Sequence, residues 1–181
     1  MMEYNSYLRP VAYTDLELIY TWRNQEEIRS LMFQRDPIDW STHVNWFSFL
    51  QKDEHNVIKL FVEDNEPRGV VQVNNINRND QTAEWGFYIG DQYKKGLGTL
   101  LAYHALHFIF QELQIRKLTA QVLSTNPKSI NFHSKIGFEQ EGILRKQIKR
   151  DKQFIDVHLF AQFEHDWERN KLKLMEGYNH V

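Results

Sequence analysis

Residues 92–110 read QYKKGLGTLLAYHALHFIF. Lys94 and Lys95 stand before Gly96-Leu97-Gly98, and a long apolar run follows without a break. Glycine is a poor helix former, so two of them at the mouth of a helix need a local reason. One reason is chemical. The first turn of a helix has N–H groups without intrahelical partners, its dipole favours negative charge, and glycine lets a phosphate come close. The other reading is a flexible turn beside solvated lysines. The pattern is not a Walker loop, since no Gly-Lys-Ser/Thr follows, and it lacks the third glycine of a dinucleotide fingerprint.

Working outward, TAEWGFYI (82–89) alternates as a strand, with Ala83, Trp85, Phe87 and Ile89 on one face and Glu84, Gly86 and Tyr88 on the other. Downstream, the helix is expected to run to about Leu113, and KLTAQVL (117–123) reads as a strand. Asn126-Pro127 opens a further helix, an N-cap followed by proline at the first helical position, and Gly137 is placed to stop it. Strand, helix and strand in succession require a crossover and local parallel pairing. Upstream, LRPVA is a short strand and Thr14-Asp15-Leu16-Glu17 a capping-box pattern for a helix to about Arg23. A second helix fits Thr42 to Gln51, with Val44, Phe47 and Leu50 on one side, and residues 57–76 make two strands around an acidic turn. The end reads as a hairpin around Asp151-Lys152 followed by a polar tail. The expected fold class is α+β, a mixed, mostly antiparallel sheet of six to seven strands flanked by helices.

Composition excludes several function classes. The net charge of −2 offers no basic field for nucleic acid, and 41% hydrophobic with 25% charged residues is ordinary for a globular chain of 181 residues. There are no cysteines, so a disulfide scaffold, a thiolate nucleophile and a Cys-ligated metal are ruled out. No His-x-x-x-His pair has carboxylate support, so no metal is expected. The opening MMEYNSYLRP lacks the layout of a signal peptide and no apolar stretch is long enough to span a bilayer; the expectation is a cytoplasmic protein without a membrane partner.

The Gly-x-Gly loop, helix, strand and then NPKSINFHSKIGF (126–138), taken together, resemble the GCN5-related N-acetyltransferase (GNAT) superfamily over nearly the whole chain. The resemblance implies one domain over 1–181, with acceptor specificity in about 1–80, acetyl-CoA binding in about 82–138 and a C-terminal hairpin in about 139–163. It implies that the central strand pair splays, that pantetheine lies in the gap, and that the loop backbone holds the pyrophosphate of acetyl-CoA, the co-substrate. Lys94, Lys95, Gly96, Leu97, Gly98 and Thr99 are then cofactor-binding, with Asn126 and Ser129 on the following helix and backbone N–H groups near Tyr88 and Ile89 for the acetyl oxygen. Tyr93 stands where the family usually has Arg or Gln. Acetyl transfer needs a neutral amine, a proton acceptor and N–H donors for the oxyanion. His133 occupies the position of a family tyrosine and is a candidate acid for the departing thiolate, with packing as its alternative role. Glu84 is a candidate base through water, with a solvated strand carboxylate as the alternative.

For the acceptor, TWRNQEEIRSLMF, STHVNWF, EWGFYIG and EGILRKQIKRDKQFIDVHLF together resemble the PseH-like N-acetyltransferases of pseudaminic acid biosynthesis. These acetylate the 4-amino group of a UDP-linked 4-amino-4,6-dideoxy-N-acetylaltrosamine, in a pathway that serves flagellin glycosylation. Arg23, Arg29 and Arg35 are placed to meet a diphosphate. Trp22, Phe33, Trp40 and Trp46 offer stacking faces, although core packing is the competing role for Trp22 and Trp46. Asn24 and His43 can bond hydroxyls or the N-acetyl group. The alternatives are a ribosomal-protein or polyamine acetyltransferase of the same superfamily, and a non-catalytic CoA-binding module. A homodimer is compatible with the sequence but not required by it.

Overall fold

The computed structural model of the chain describes residues 5–90 and 95–178. Seven strands form one sheet in the order β1-β2-β3-β4-β5-β7-β6. They are β1 (Ser6–Pro10), β2 (Val57–Glu63), β3 (Glu66–Asn77), β4 (Thr82–Ile89), β5 (Lys117–Leu123), β6 (Glu139–Arg150) and β7 (Gln153–Phe163). β4 and β5 pair in parallel, and the other neighbours are antiparallel, β2–β3, β3–β4 and β6–β7 through hairpin connections. The fold class is therefore the α+β arrangement expected.

Helices cover both faces. On one side lie α1 (Leu16–Asn24), the single turn α2 (Glu26–Arg29) and α3 (Trp40–Leu50). They bury Leu16, Ile19, Trp22, Ile28 and Phe47 against Leu60 and Val70 of the sheet. The other side holds α4 (Leu97–His107), α5 (Pro127–Lys135) and α6 (Glu164–Tyr178). Its core joins Val71, Val73, Trp85, Leu101, Leu106, Phe138, Phe160 and Trp167. The alternation expected in β4 is what feeds both cores: Ala83 and Trp85 enter the second, while Tyr88 packs against the first. α4 does not simply run on to Leu113. It passes at Phe108–Glu112 into a π-helical turn, and Leu113 N–H donates to the Phe108 carbonyl at 3.0 Å.

Three boundaries differ from expectation for local reasons. Asp39 caps α3, its carboxylate accepting from Thr42 N–H at 2.8 Å, so the helix starts before Thr42. At the first helix the carboxylate of Asp15 does the capping rather than the Thr14 hydroxyl. It accepts from Ala12 N–H at 2.8 Å and pairs with Arg9 at 2.7 Å. The expected polar tail is α6, an amphipathic helix. Trp167 is wholly buried and rests against Tyr103 of α4, with ring centroids 5.6 Å apart. Gly137 behaves as the expected stop, at φ 98°, where Phe138 N–H closes onto the His133 carbonyl at 2.9 Å.

Candidate active site

The parallel pairing of β4 and β5 is short. It covers Thr82↔Lys117, Ala83↔Leu118 and Glu84↔Thr119, after which the strands diverge. β4 continues against β3 alone, with Trp85 opposite Val73 and Ile89 opposite Gly69. Gly90 N–H donates to the Arg68 carbonyl on the β3 side, and the Thr119 hydroxyl donates to the Ala83 carbonyl on the β5 side. Backbone groups alternate sides along a strand. Trp85, Phe87 and Ile89 therefore turn their N–H and C=O groups into the fork, where β5 no longer reaches them. Tyr88 turns its backbone to β3; a Cβ on Gly69 would stand 2.5 Å from its carbonyl oxygen. The N–H donors at this end of the strand are those of Phe87 and Ile89, not that of Tyr88.

The loop before α4 opens beside this fork. Gly96 caps the helix at φ 86°, a left-handed conformation that glycine adopts at no steric cost. Its carbonyl accepts from Thr99 N–H at 2.9 Å and Leu100 N–H at 3.2 Å, which leaves the N–H groups of Leu97 and Gly98 at the helix mouth. A Cβ on Gly98 would meet only the Phe132 ring of α5, at 3.7 Å, so there is room over this turn. Leu97 and Thr99 turn their side chains into the core, so Leu97 offers its backbone alone and Thr99, whose N–H is taken by the Gly96 carbonyl, offers no free donor. Lys95 is exposed next to the turn, while Tyr93 and Lys94 lie outside the described residues. A diphosphate needs close backbone approach, free N–H groups and a helix N-terminus, and an extended amide chain needs an unpaired strand edge. Both are present, in adjoining positions, and they fit acetyl-CoA.

α5 closes the same side of the fork. Its cap is Asn126, whose side-chain oxygen accepts from Ser129 N–H at 3.0 Å, with Pro127 at the first helical position. His133 is buried among Trp85, Phe87, Phe132, Phe138 and Phe160, and stacks on Phe160 at 5.5 Å between centroids. Its Nδ1 lies 2.8 Å from the Ser129 carbonyl and 3.3 Å from the Ser129 hydroxyl. A carbonyl only accepts, so Nδ1 carries the proton. Burial pushes the pKa of this imidazole down, against a smaller upward pull from the Ser129 hydrogen bond. Neutral, with its proton on Nδ1, the ring has no proton on Nε2 to give to a thiolate.

The opposite face of the fork is built from side chains. Glu84 sits at the last paired position and accepts from Gln121 Nε2 at 3.0 Å, a bond thrown across the opening. Beside it, a cavity of about 160 Å³ is lined by Arg23, Thr42, His43, Trp46, Gln72 and Tyr88, with Ile19 and Ile38. Arg23 donates Nη2 to the Gln34 carbonyl at 2.6 Å, while Nη1 is buried without a partner among the described residues. Desolvation lowers the pKa of Arg23, yet a guanidinium stays charged at neutral pH. His43 is buried, with Nε2 3.1 Å from the Leu16 carbonyl, so its Nδ1 is left as an acceptor. Burial first, and then the charge of Arg23, keep this imidazole below its ordinary pKa. Burial drives the Tyr88 phenol upward, so it remains a donor. None of the described residues lining the cavity is a carboxylate.

Other expected residues take different places. Both polar atoms of the Asn24 amide are committed to Ile38, at 2.8 and 2.9 Å, and fix the loop between α2 and α3. Phe33 is about half exposed on that loop and does not line this cavity. Trp22 packs on Gly90, where a Cβ would stand 2.0 Å from the indole, and so joins α1 to the end of β4. Gln72, unweighed from the sequence, was signalled by a polar residue inside the apolar run GVVQV of β3. No helix among the described residues is long and apolar enough to cross a membrane, and no cluster of three metal-ligating side chains occurs among them.

Known proteins share this arrangement. Residues 6–139 match the family model described as "Acetyltransferase (GNAT) domain". The chain is 27% identical over 124 residues to the acetyltransferase PseH of Campylobacter jejuni, covering 68% of this chain and 76% of that one. It is also 27% identical over 164 residues to the spermidine N(1)-acetyltransferase of Escherichia coli, covering 88% of this chain and 87% of that one. The crystal structure of spermidine N-acetyltransferase from Vibrio cholerae, in complex with CoA and spermine, superposes with a TM-score of 0.84 at 22% identity over 91% of this chain and 98% of that one. With a forked β4–β5 pair, a glycine-opened helix beside it and this match across most of its length, the chain belongs to the GNAT acetyltransferase family and is an acetyl-CoA-dependent N-acetyltransferase.

Proposed function

We propose that the acceptor is the 4-amino group of a UDP-linked 4-amino-4,6-dideoxy-N-acetylaltrosamine. The observation that carries this reading is the cavity on the acceptor face. It presents a half-buried guanidinium whose Nη1 is buried and without a partner among the described residues, one hydrogen-bond acceptor at His43 Nδ1, a phenol and an amide, and no carboxylate among its described lining residues. A polyamine carries several positive charges, and placing one beside Arg23 costs Coulomb energy in a partly desolvated site. A sugar ring with hydroxyl, N-acetyl and phosphate oxygens finds matching donors there. The similarity to PseH points the same way. The similarity to spermidine acetyltransferases covers more of the chain at the same identity, and it is the chemistry of the cavity that favours the sugar nucleotide.

Acetyl-CoA supplies the activated thioester. The residues of this chain divide the remaining work. The Phe87 and Ile89 N–H groups face the fork and serve the carbonyl oxygen as negative charge develops on it. Arg23, His43 and Tyr88 hold the acceptor so that its amine enters from the Glu84 side. Glu84, bridged to Gln121, takes the proton that the amine loses, through a water, and passes it to solvent, from which the sulfur of the departing CoA takes one in return. His133 shapes the aromatic wall and positions Phe87 and Trp85; its neutral ring is a packing group. Direct transfer needs no acyl-enzyme, which fits a chain without cysteine.

The test is to incubate the protein with acetyl-CoA and the UDP-4-amino sugar, measuring released CoA and the mass of the product. A product heavier by one acetyl group supports the reading. Release of CoA with spermidine or a peptide, and none with the sugar nucleotide, overturns it.

A further inference from the structure

A second and larger cavity, of about 660 Å³, opens between the loop after α2 and the tip of the β6–β7 hairpin. Its lining includes Ser30, Arg35, Thr125, Arg150, Lys152 and Gln153, with Asp151 as the carboxylate among the described lining residues. Three cations against one anion leave the wall positive, although the whole chain carries −2. The hairpin sequence RKQIKRDK (145–152) adds Arg145, Lys146 and Lys149 to the same arm.

The cations are held in different ways. Arg150 is fixed, donating Nη1 to the Ser30 carbonyl at 3.0 Å and Nη2 to the Met32 carbonyl. Arg35 is exposed, and its Nη2 is shared between both carboxylate oxygens of Asp151 at 3.0 Å. An exposed pair of this kind is weak, and a polyanion of higher charge displaces the carboxylate. Lys152 is exposed at the rim. Thr125, one of the lining residues, stands one position before Asn126, the cap of α5, and so brings the cavity next to the end of β5 that forms the fork. The volume exceeds what a single phosphate needs and is of the size of pockets that take small organic ligands.

We propose that this cavity is a diphosphate subsite, in which Arg35, Arg150 and Lys152 receive the nucleotide end of the acceptor while its amino sugar reaches the Arg23 cavity. The role in turnover rests on the sugar-nucleotide reading above; the anion site itself does not. Asp151 is then a built-in competitor for Arg35, so removing its charge strengthens binding while removing the cations weakens it. A purely structural role for the Arg35–Asp151 pair gives no such opposite signs.

The experiment titrates UDP into the full chain by calorimetry, with and without saturating CoA. Variants are Arg35→Ala/Lys152→Ala and Asp151→Asn, each confirmed folded by an unchanged thermal midpoint. Expected are UDP binding with CoA present or absent, weakening of about tenfold or more in the double variant, and tightening of about threefold in Asp151→Asn. Inorganic pyrophosphate should compete for the same site. In steady state, the double variant should raise the KM for the sugar nucleotide by about tenfold with kcat and the KM for acetyl-CoA unchanged. UDP affinity indifferent to the double variant overturns the subsite even if the sugar nucleotide is acetylated. Loss of UDP binding when CoA is present assigns the cavity to the phosphates of CoA and also overturns it. UDP binding that depends on Arg35 and Lys152, without acetylation of the sugar nucleotide, upholds the anion site and overturns the acceptor reading instead.

Discussion

On the α4–α5 side of the fork, the groups presented to the opening are backbone: the N–H groups of Leu97 and Gly98, and the edge of β4 at Phe87 and Ile89 that β5 no longer reaches. On the α1–α3 side, they are side chains: Arg23, His43, Gln72 and Glu84, gathered from distant segments. The difference teaches how such a fold varies. Backbone recognition depends on glycine, on a helix end and on strand divergence, and it tolerates sequence change elsewhere. Side-chain recognition can be rewritten one residue at a time while the fork stays intact.

The comparison is most exposed to failure at Gly98. Replacing it with Trp fills the space that now separates it from Phe132 and blocks the first turn of α4. Acetyl-CoA affinity by calorimetry should fall about 100-fold, or roughly 2.7 kcal/mol, with the fold retained. Unchanged affinity would remove the backbone cradle. Arg23→Ala is the counterpart on the other side. It should lower kcat/KM for the sugar nucleotide by about 10- to 100-fold, the range of a lost charged hydrogen bond, and leave the KM for acetyl-CoA alone. If both constants move together, the two sides are not separate.

Gly90→Ala attacks the joint between the sides, since its Cβ would collide with the Trp22 indole. A loss of about 1–3 kcal/mol in denaturant unfolding is expected from forced repacking. A neutral result would mean that α1 is not anchored to β4 there.

Protonation reaches both sides at once. Burial lowers the pKa of His43, His133 and His104, the last to about 4. Unfolded histidine titrates near 6.5, so below that pH the unfolded chain binds more protons than the folded one. Stability should be constant above about pH 6.5 and decline from there toward about pH 4, by on the order of 1–2 kcal/mol at pH 5. Urea midpoints at pH 7.5 and 5 check this, and equal midpoints would mean that the imidazoles are not held neutral. The smallest effect is expected from His133→Phe, which keeps the ring against Phe160. A kcat within about threefold of the wild type fits a packing role, whereas a loss near 100-fold would restore it as an acid.

The cofactor side was the more legible in the sequence because its signals are local. Asn126-Pro127 and Gly137 bound α5 by their own conformational preferences, and the alternation of EWGFYI already sorted Trp85 from Glu84. Strand alternation alone could not say that Tyr88 turns its backbone to β3, because that depends on which partner each side has. α6 reads as polar since Trp167 is the single wholly buried side chain among its described ones, and only packing on Tyr103 reveals its inner face. The acceptor side was legible in residue type but not in assembly. Arg23 and His43 were marked for it, whereas Gln72 joins them only through tertiary packing, and the cavity at Arg35 and Arg150 depends on contacts more than a hundred residues apart, as in Arg150 to Ser30.

The most direct measurement is a competition. Acetyl-CoA is offered to the protein with equimolar UDP-4-amino sugar and spermidine, and both acetylated products are quantified by mass spectrometry. A cavity with no carboxylate among its described lining residues and a half-buried guanidinium predicts acetylated sugar nucleotide in excess of about 100-fold, the discrimination that roughly 2.7 kcal/mol provides. Acetylspermidine as the main product would contradict the account, because the same cavity would then have to hold a polycation beside Arg23.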